Sequence, residues 1–179
     1  LIDANQAWEA KDALAMVDRL LPFNPGWLEE PVRVDDHEGW RQVRRAFPGR
    51  LAGGENHFEL HGYRALLDQG YLDVIMPDVA RAGGITGVLK ILSLARAWGV
   101  DWSLHSYGSD VGLAASLHIM AALPGGYLML KDVSDAPARS GILVRPIQME
   151  GGDALVPQGP GLGVELSPEG LARWRWDAS

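Results

Sequence analysis

The feature that most constrains this chain is a regular alternation of short β-rich apolar runs with amphipathic helical stretches. The apolar runs lead into Asp3, Glu29, Glu55, Asp78 and His105, at intervals of 26, 26, 23 and 27 residues. Between them, apolar residues recur at helical spacing: Ala10, Leu14, Val17 and Leu21, then Trp40, Val43 and Phe47 behind Asp35 or Asp36 as N-cap. Tyr63, Leu66 and Leu67 follow, then Ile85, Val88, Leu92, Ala95 and Trp98, then Val111, Ala114, Leu117 and Ala121. A sixth β-like run, Tyr127–Leu130, closes the series after Pro124-Gly125-Gly126. Strands separated by helices pair in parallel, because only a crossover of a dozen or more residues returns the chain to the same edge. The expected fold is therefore α/β with a parallel sheet, either open or closed into a barrel built of units of about 30 residues.

Composition narrows what such a fold can do. The chain has 179 residues and a formal net charge of −7, with 47% apolar and 22% charged residues, which is ordinary for a globular protein. The acidic balance argues against a nucleic-acid module. No apolar run approaches the ~20 residues that span a bilayer. Cysteine is absent, which excludes disulfides and thiolate metal sites. Residues 131–165 differ from the rest: Gly and Pro are frequent, and β-like pieces such as Ile142–Val144 and Ala154–Val156 are short. A terminal helix over Pro168–Trp174 is expected, with Ser167 as its cap. Gly159-Pro160-Gly161-Leu162-Gly163 reads as a turn rather than a nucleotide loop, since it contains Pro and follows no clear strand. Gly83-Gly84 likewise reads as a tight loop.

The strand ends carry the chemistry. A polar residue at the carboxyl end of each strand stands where parallel barrels keep their active sites. Neighbouring strands lie about 4.8 Å apart, so Asp3, Glu29 and Glu55 point three carboxylates at one region. Such charges repel unless compensated, and a hard divalent cation with oxygen ligands compensates them. Asp78 and His105 fall on the next two strand ends, where a carboxylate can fix the tautomer of an imidazole. His57, two residues past Glu55, is expected at the mouth of the site, and His118, inside a helix, is expected to be structural.

Six strings in order carry a resemblance to a known family. They are Ile2-Asp3-Ala4-Asn5-Gln6, Trp27-Leu28-Glu29-Glu30-Pro31, Gly53-Gly54-Glu55-Asn56, Met76-Pro77-Asp78 with Gly83-Gly84-Ile85, Leu104-His105-Ser106, and Pro160-Gly161-Leu162-Gly163-Val164. The chain resembles the catalytic barrel of the enolase superfamily, in its mandelate racemase/muconate-lactonising branch. The resemblance implies a partial (β/α)8 barrel, strands three to eight, over residues 1–131, with residues 132–179 as a C-terminal extension. It also implies that the first two strands and an N-terminal capping domain lie outside this chain. The isolated segment is then expected to be inactive.

The resemblance further implies that Asp3, Glu29 and Glu55 bind Mg2+, with Glu30 behind them. It implies that His105 is the base and Asp78 its partner, and that Asn5, Asn56, His57 and Lys131 bind substrate. One departure stands out. The family often has a Glu on the last strand, and here that position falls on Met129, Leu130 or Lys131. The implied activity is Mg2+-dependent removal of the α-proton of a hydroxy-carboxylate, with dehydration of a sugar acid to a keto-acid first. Racemisation or epimerisation, and a degenerate non-catalytic barrel, are the alternatives. A small-molecule carboxylate as the partner, a homo-oligomer and a cytoplasmic location complete the expectations.

Overall fold

The computed structural model describes residues 1–175. The last four residues of the expected extension, 176–179, lie outside the described residues. Five short strands form one parallel sheet in chain order: β1 (Ile2–Asp3), β2 (Leu28–Glu29), β3 (Leu51–Gly53), β4 (Val74–Ile75) and β5 (Asp101–Trp102). The register pairs Asp3 with Glu29, Gly53 with Ile75 and Ile75 with Trp102. Helices α1 (Ala10–Leu20), α2 (His37–Ala46), α3 (Glu59–Leu67) and α4 (Gly84–Ala97) are the crossovers, and α5 (Asp110–Ala122) follows β5. Asp36 is the cap of α2, accepting from the Gly39 amide at 2.8 Å.

Strand alternation sorts side chains onto two buried faces. Leu28, Leu51, Ile75 and Trp102 join the helices in the main core, whereas Trp27, Ala52, Val74 and Met76 form a second cluster on the opposite face. The side chain of Glu29, two residues on from Trp27, is on that second face, and the Trp27 indole N–H donates to its Oε2 at 3.1 Å.

The sixth β-like run behaves differently from the expectation. It does not become a strand; one parallel bridge, Trp102 to Gly126, ties it to β5. The Tyr127 amide donates to the Trp102 carbonyl at 2.9 Å, and the Ser103 hydroxyl to that of Leu128 at 2.9 Å. A Cβ at Gly126 would sit 2.6 Å from the Trp102 ring, so only glycine lets the chain approach there. Beyond it Leu128 is 77% exposed, and among the described residues no strand pairs with its outer edge.

Residues beyond 131 form α6 (Pro137–Gly141), an antiparallel hairpin of β6 (Met149–Glu150) and β7 (Asp153–Ala154), and α7 (Pro168–Trp174). The Ser167 hydroxyl caps α7 by accepting from the Gly170 amide at 3.0 Å. Ile142–Val144 is not a strand; Leu143 makes a single bridge to Leu166. This region packs on α5 through Ile147, Val156, Leu162 and Val164, and His118 is structural as expected, its Nε2 lying 3.2 Å from the Leu162 carbonyl.

Candidate active site

The carboxyl ends of the strands open into a cleft of about 730 Å3. Asp3, Asn5, Glu29, Glu55, Asn56, His105 and Lys131 all line it. Asp78 is buried behind His105. The two residues share a parallel backbone bridge, and the His105 Nδ1 to Asp78 Oδ2 distance is 2.6 Å. A further 2.7 Å bond from the Ala80 amide fixes Asp78 Oδ1. On the other side of the ring, His105 Nε2 is 3.0 Å from Glu55 Oε2.

These contacts set the protonation states. Burial disfavours charge on both members of the pair, but it is outweighed for Asp78 by the hydrogen bonds of His105 and the Ala80 amide, and for His105 by the hydrogen bond to Asp78 and the charges of Glu55 and Asp78. Asp78 therefore titrates below its usual range, and His105 above its own. Glu29 is pushed up to about 8, first by burial and then by the charge of Asp3, with only the Trp27 N–H opposing. Burial, and then Glu55, push Glu30 up to about 7. Burial also raises Glu55, although His105 and Arg81 pull it back.

Three mutually repelling oxygen donors at the ends of adjacent strands, Glu29 buried, Glu55 half-buried and Asp3 exposed, are a donor set that suits a hard divalent cation. The fit is one of chemistry. Among the described residues no three His, Asp or Glu side chains are gathered to metal-holding distance. Glu55 is turned onto His105, and Asp3 Oδ1 accepts from the Asn5 amide at 2.7 Å.

Glu30 points away from the cleft, where its carboxylate accepts from the Asn56 side-chain amide at 3.0 and 3.3 Å. His57 corrects the expectation. A turn closed by its amide on the Gly54 carbonyl, 3.1 Å, swings the ring away from the cleft to face Tyr63, with centroids 6.0 Å apart. There its Nδ1 is buried without a hydrogen-bond partner, and burial lowers its pKa.

Sequence reasoning missed Arg81, Gln6 and Tyr107, which also line the cleft. The signal for Arg81 was its place three residues after Asp78 in the Met76–Gly84 string. Among the described residues no helix is long and apolar enough to cross a membrane.

Fold and site together define a parallel α/β protein whose titratable groups converge at the carboxyl ends of its strands, with an Asp–His pair beside a carboxylate cluster. Residues 1–170 match the family model described as enolase C-terminal domain-like, and the chain belongs to that family, in the mandelate racemase/muconate-lactonising group. It is 33% identical over 98% of its length to D-galactarolactone cycloisomerase of Agrobacterium fabrum, covering 48% of that protein. It is 30% identical over 100% of its length to D-gluconate dehydratase of Thermoproteus tenax, covering 36%. Among solved structures, an enolase from Bradyrhizobium complexed with magnesium and mandelic acid superposes with a TM-score of 0.81 at 29% identity, over 96% of this chain and 45% of that one. The chain thus spans about half or less of the length of these relatives.

Proposed function

We propose that this chain is the proton-abstracting part of a longer enzyme that dehydrates a sugar acid to a keto-acid. In this reading the five strands and the docked sixth run are six of the eight strands of a closed barrel. The observation that carries the proposal is the Asp78–His105 pair, 2.6 Å apart, with His105 facing the same cleft as Asp3, Glu29 and Glu55. Asp3, Glu29 and Glu55 would hold Mg2+, which when bound supplies Lewis-acid stabilisation of the charge that develops on the substrate carboxylate.

The chain's own residues do the rest. Asp78 accepts from Nδ1 and leaves Nε2 as the basic atom of His105. Glu55 withdraws from Nε2, and His105 takes the α-proton there. The same proton, carried on Nε2, is then given to the departing β-hydroxyl, which leaves as water. One C–H and one C–O bond break, and the enol product tautomerises to the keto-acid. Lys131, across the cleft and without a hydrogen bond or ion pair among the described residues, binds the substrate's polar end with Asn5. The Mg2+ reading is supported by the oxygen-only donor set and by the magnesium complex of the Bradyrhizobium structure.

A second reading is supported by the cycloisomerase relative. There the same proton removal would be coupled to expulsion of a ring oxygen within the substrate rather than to loss of water.

The test is to incubate the full-length protein with Mg2+ and a panel of aldonates, aldarates and their lactones in deuterated water. Keto-acid formation is expected, with solvent deuterium on the β-carbon, the one that lost its hydroxyl, delivered there as the enol tautomerises. Isomerised product without loss of water would move the reading to cycloisomerisation, and no exchange with any acid would overturn it.

A further inference from the structure

Arg81 stands in the turn after β4, three residues beyond Asp78, and that turn is closed on itself. The Asp78 carbonyl accepts from the amides of Arg81, 3.0 Å, and Ala82, 2.8 Å. The turn directs the Arg81 side chain sideways, onto the loop that follows β3. There Nη1 donates to the Glu55 carbonyl at 3.1 Å and to Asn56 Oδ1 at 3.0 Å, and lies 4.0 Å from Glu55 Oε1. With its oxygen occupied by Arg81, the Asn56 side chain can offer only its NH2 group to the buried Glu30 carboxylate. One guanidinium thereby fixes a backbone carbonyl, the orientation of an amide and the charge balance beside Glu55.

The same turn also holds Asp78 against His105. Arg81 thus shares the turn of one half of the site and is the hydrogen-bonded anchor of the other. We propose that Arg81 is a positioning residue. It clamps the Glu55–Asn56 loop to the Asp78 turn, so that Glu55 is presented to the cation from a fixed backbone position. The part of this proposal that concerns the cation rests on the reading of Glu55 as a metal ligand; the clamp itself does not.

The experiment uses the full-length protein, with Arg81→Met, Arg81→Lys and Asn56→Ser. Amide hydrogen exchange, followed by mass spectrometry without metal, reads the clamp directly. R81M is expected to speed exchange of the segment around residues 54–58 by about tenfold and to leave α1 and α2 unchanged, because tertiary contacts set local opening. N56S, which keeps the bond to the Glu55 carbonyl, should lie between wild type and R81M. Mn2+ affinity, measured by the resonance of the free ion, should fall roughly 10–100-fold in R81M, the usual effect of removing a group that orients a ligand. R81K should recover part of it.

Unchanged exchange at 54–58 in R81M overturns the proposal. So does faster exchange throughout the protein, which would make Arg81 a general stabiliser. If R81M does not fold, R81K and N56S report on the same segment. A wild-type protein that binds no Mn2+ would defeat the metal reading, while the exchange data would still decide the clamp.

Discussion

The cleft has two walls built on different principles. One is made by the ends of β1–β5, where Glu29 and, behind the lining, Glu30 and Asp78 are at most 3% exposed, each with a defined partner. The other is loop: Ser106 and Tyr107 on one side of it, residues 130–133 on the other. Tyr107 is 62% and Val133 88% exposed. The ties of that wall are local, chiefly the ion pair of Arg139 with Asp132 and the Ser134–Asp132 bonds. Proton transfer needs groups held to a fraction of an ångström, which strands and buried partners provide. Discrimination between substrates is better placed on surface loops. Changes on the strand wall should therefore reduce kcat by orders of magnitude, whereas changes on the loop wall should move KM.

The largest effect is expected for His105→Asn, which removes the base while keeping a polar side chain. Turnover of the full-length enzyme should fall on the order of 10³-fold, with Mn2+ binding retained. Retained turnover would remove His105 from the chemistry. Asp78→Asn should cost roughly 10²-fold in kcat, because the ring loses the carboxylate that orients it. A change confined to KM would show that Asp78 belongs with the substrate-binding wall instead.

Glu29→Gln separates stability from function on the same wall. In the metal-free protein, ionised Glu29 is repelled by Asp3 and stripped of water, so its pKa is raised from 4.5 to about 8. A raised carboxylate pKa makes folding progressively less favourable as pH climbs from the unfolded value towards the folded one. In chelator, E29Q should therefore be more stable than wild type by about 1–3 kcal/mol at pH 8, and no different at pH 4. Divalent stabilisation should be lost at the same time. Equal melting at both pH values would mean that Glu29 is not under charge stress.

On the loop wall, Lys131→Met should raise KM about tenfold, roughly 1.4 kcal/mol, with kcat little changed. A collapse of kcat instead would place Lys131 on the reacting oxygen and make the two walls alike.

The contrast between the walls also explains what was legible in the sequence. Asp3, Glu29, Glu55, Asp78 and His105 could be read because strand periodicity fixes both their spacing and the end of the sheet they reach. His57 could not. It is close to Glu55 in sequence, but the turn on Gly54 decides which way its ring faces, and that turn leaves no periodic trace. Arg81 was missed for the same reason, since its role comes from a loop-to-loop contact rather than from a repeat. The run at 127–130 has strand composition but, among the described residues, one neighbouring strand, and composition does not reveal whether a second is there to pair with.

The smallest effect is expected at the far end of the chain, where the loop wall meets its support. Helix α7 packs on α6, so closely that a Cβ on Gly170 would lie 2.1 Å from the Gly141 carbonyl. The α6 residue Arg139 in turn grips Asp132 at the cleft. Ser167→Ala removes the α7 cap and should cost about 1 kcal/mol of stability, seen as a small drop in melting temperature. Because the loss is spread over a helix that touches no substrate, KM should stay as it was. If S167A raised KM as much as K131M, the extension would be part of substrate selection, and the loop wall would have to be drawn back to α7.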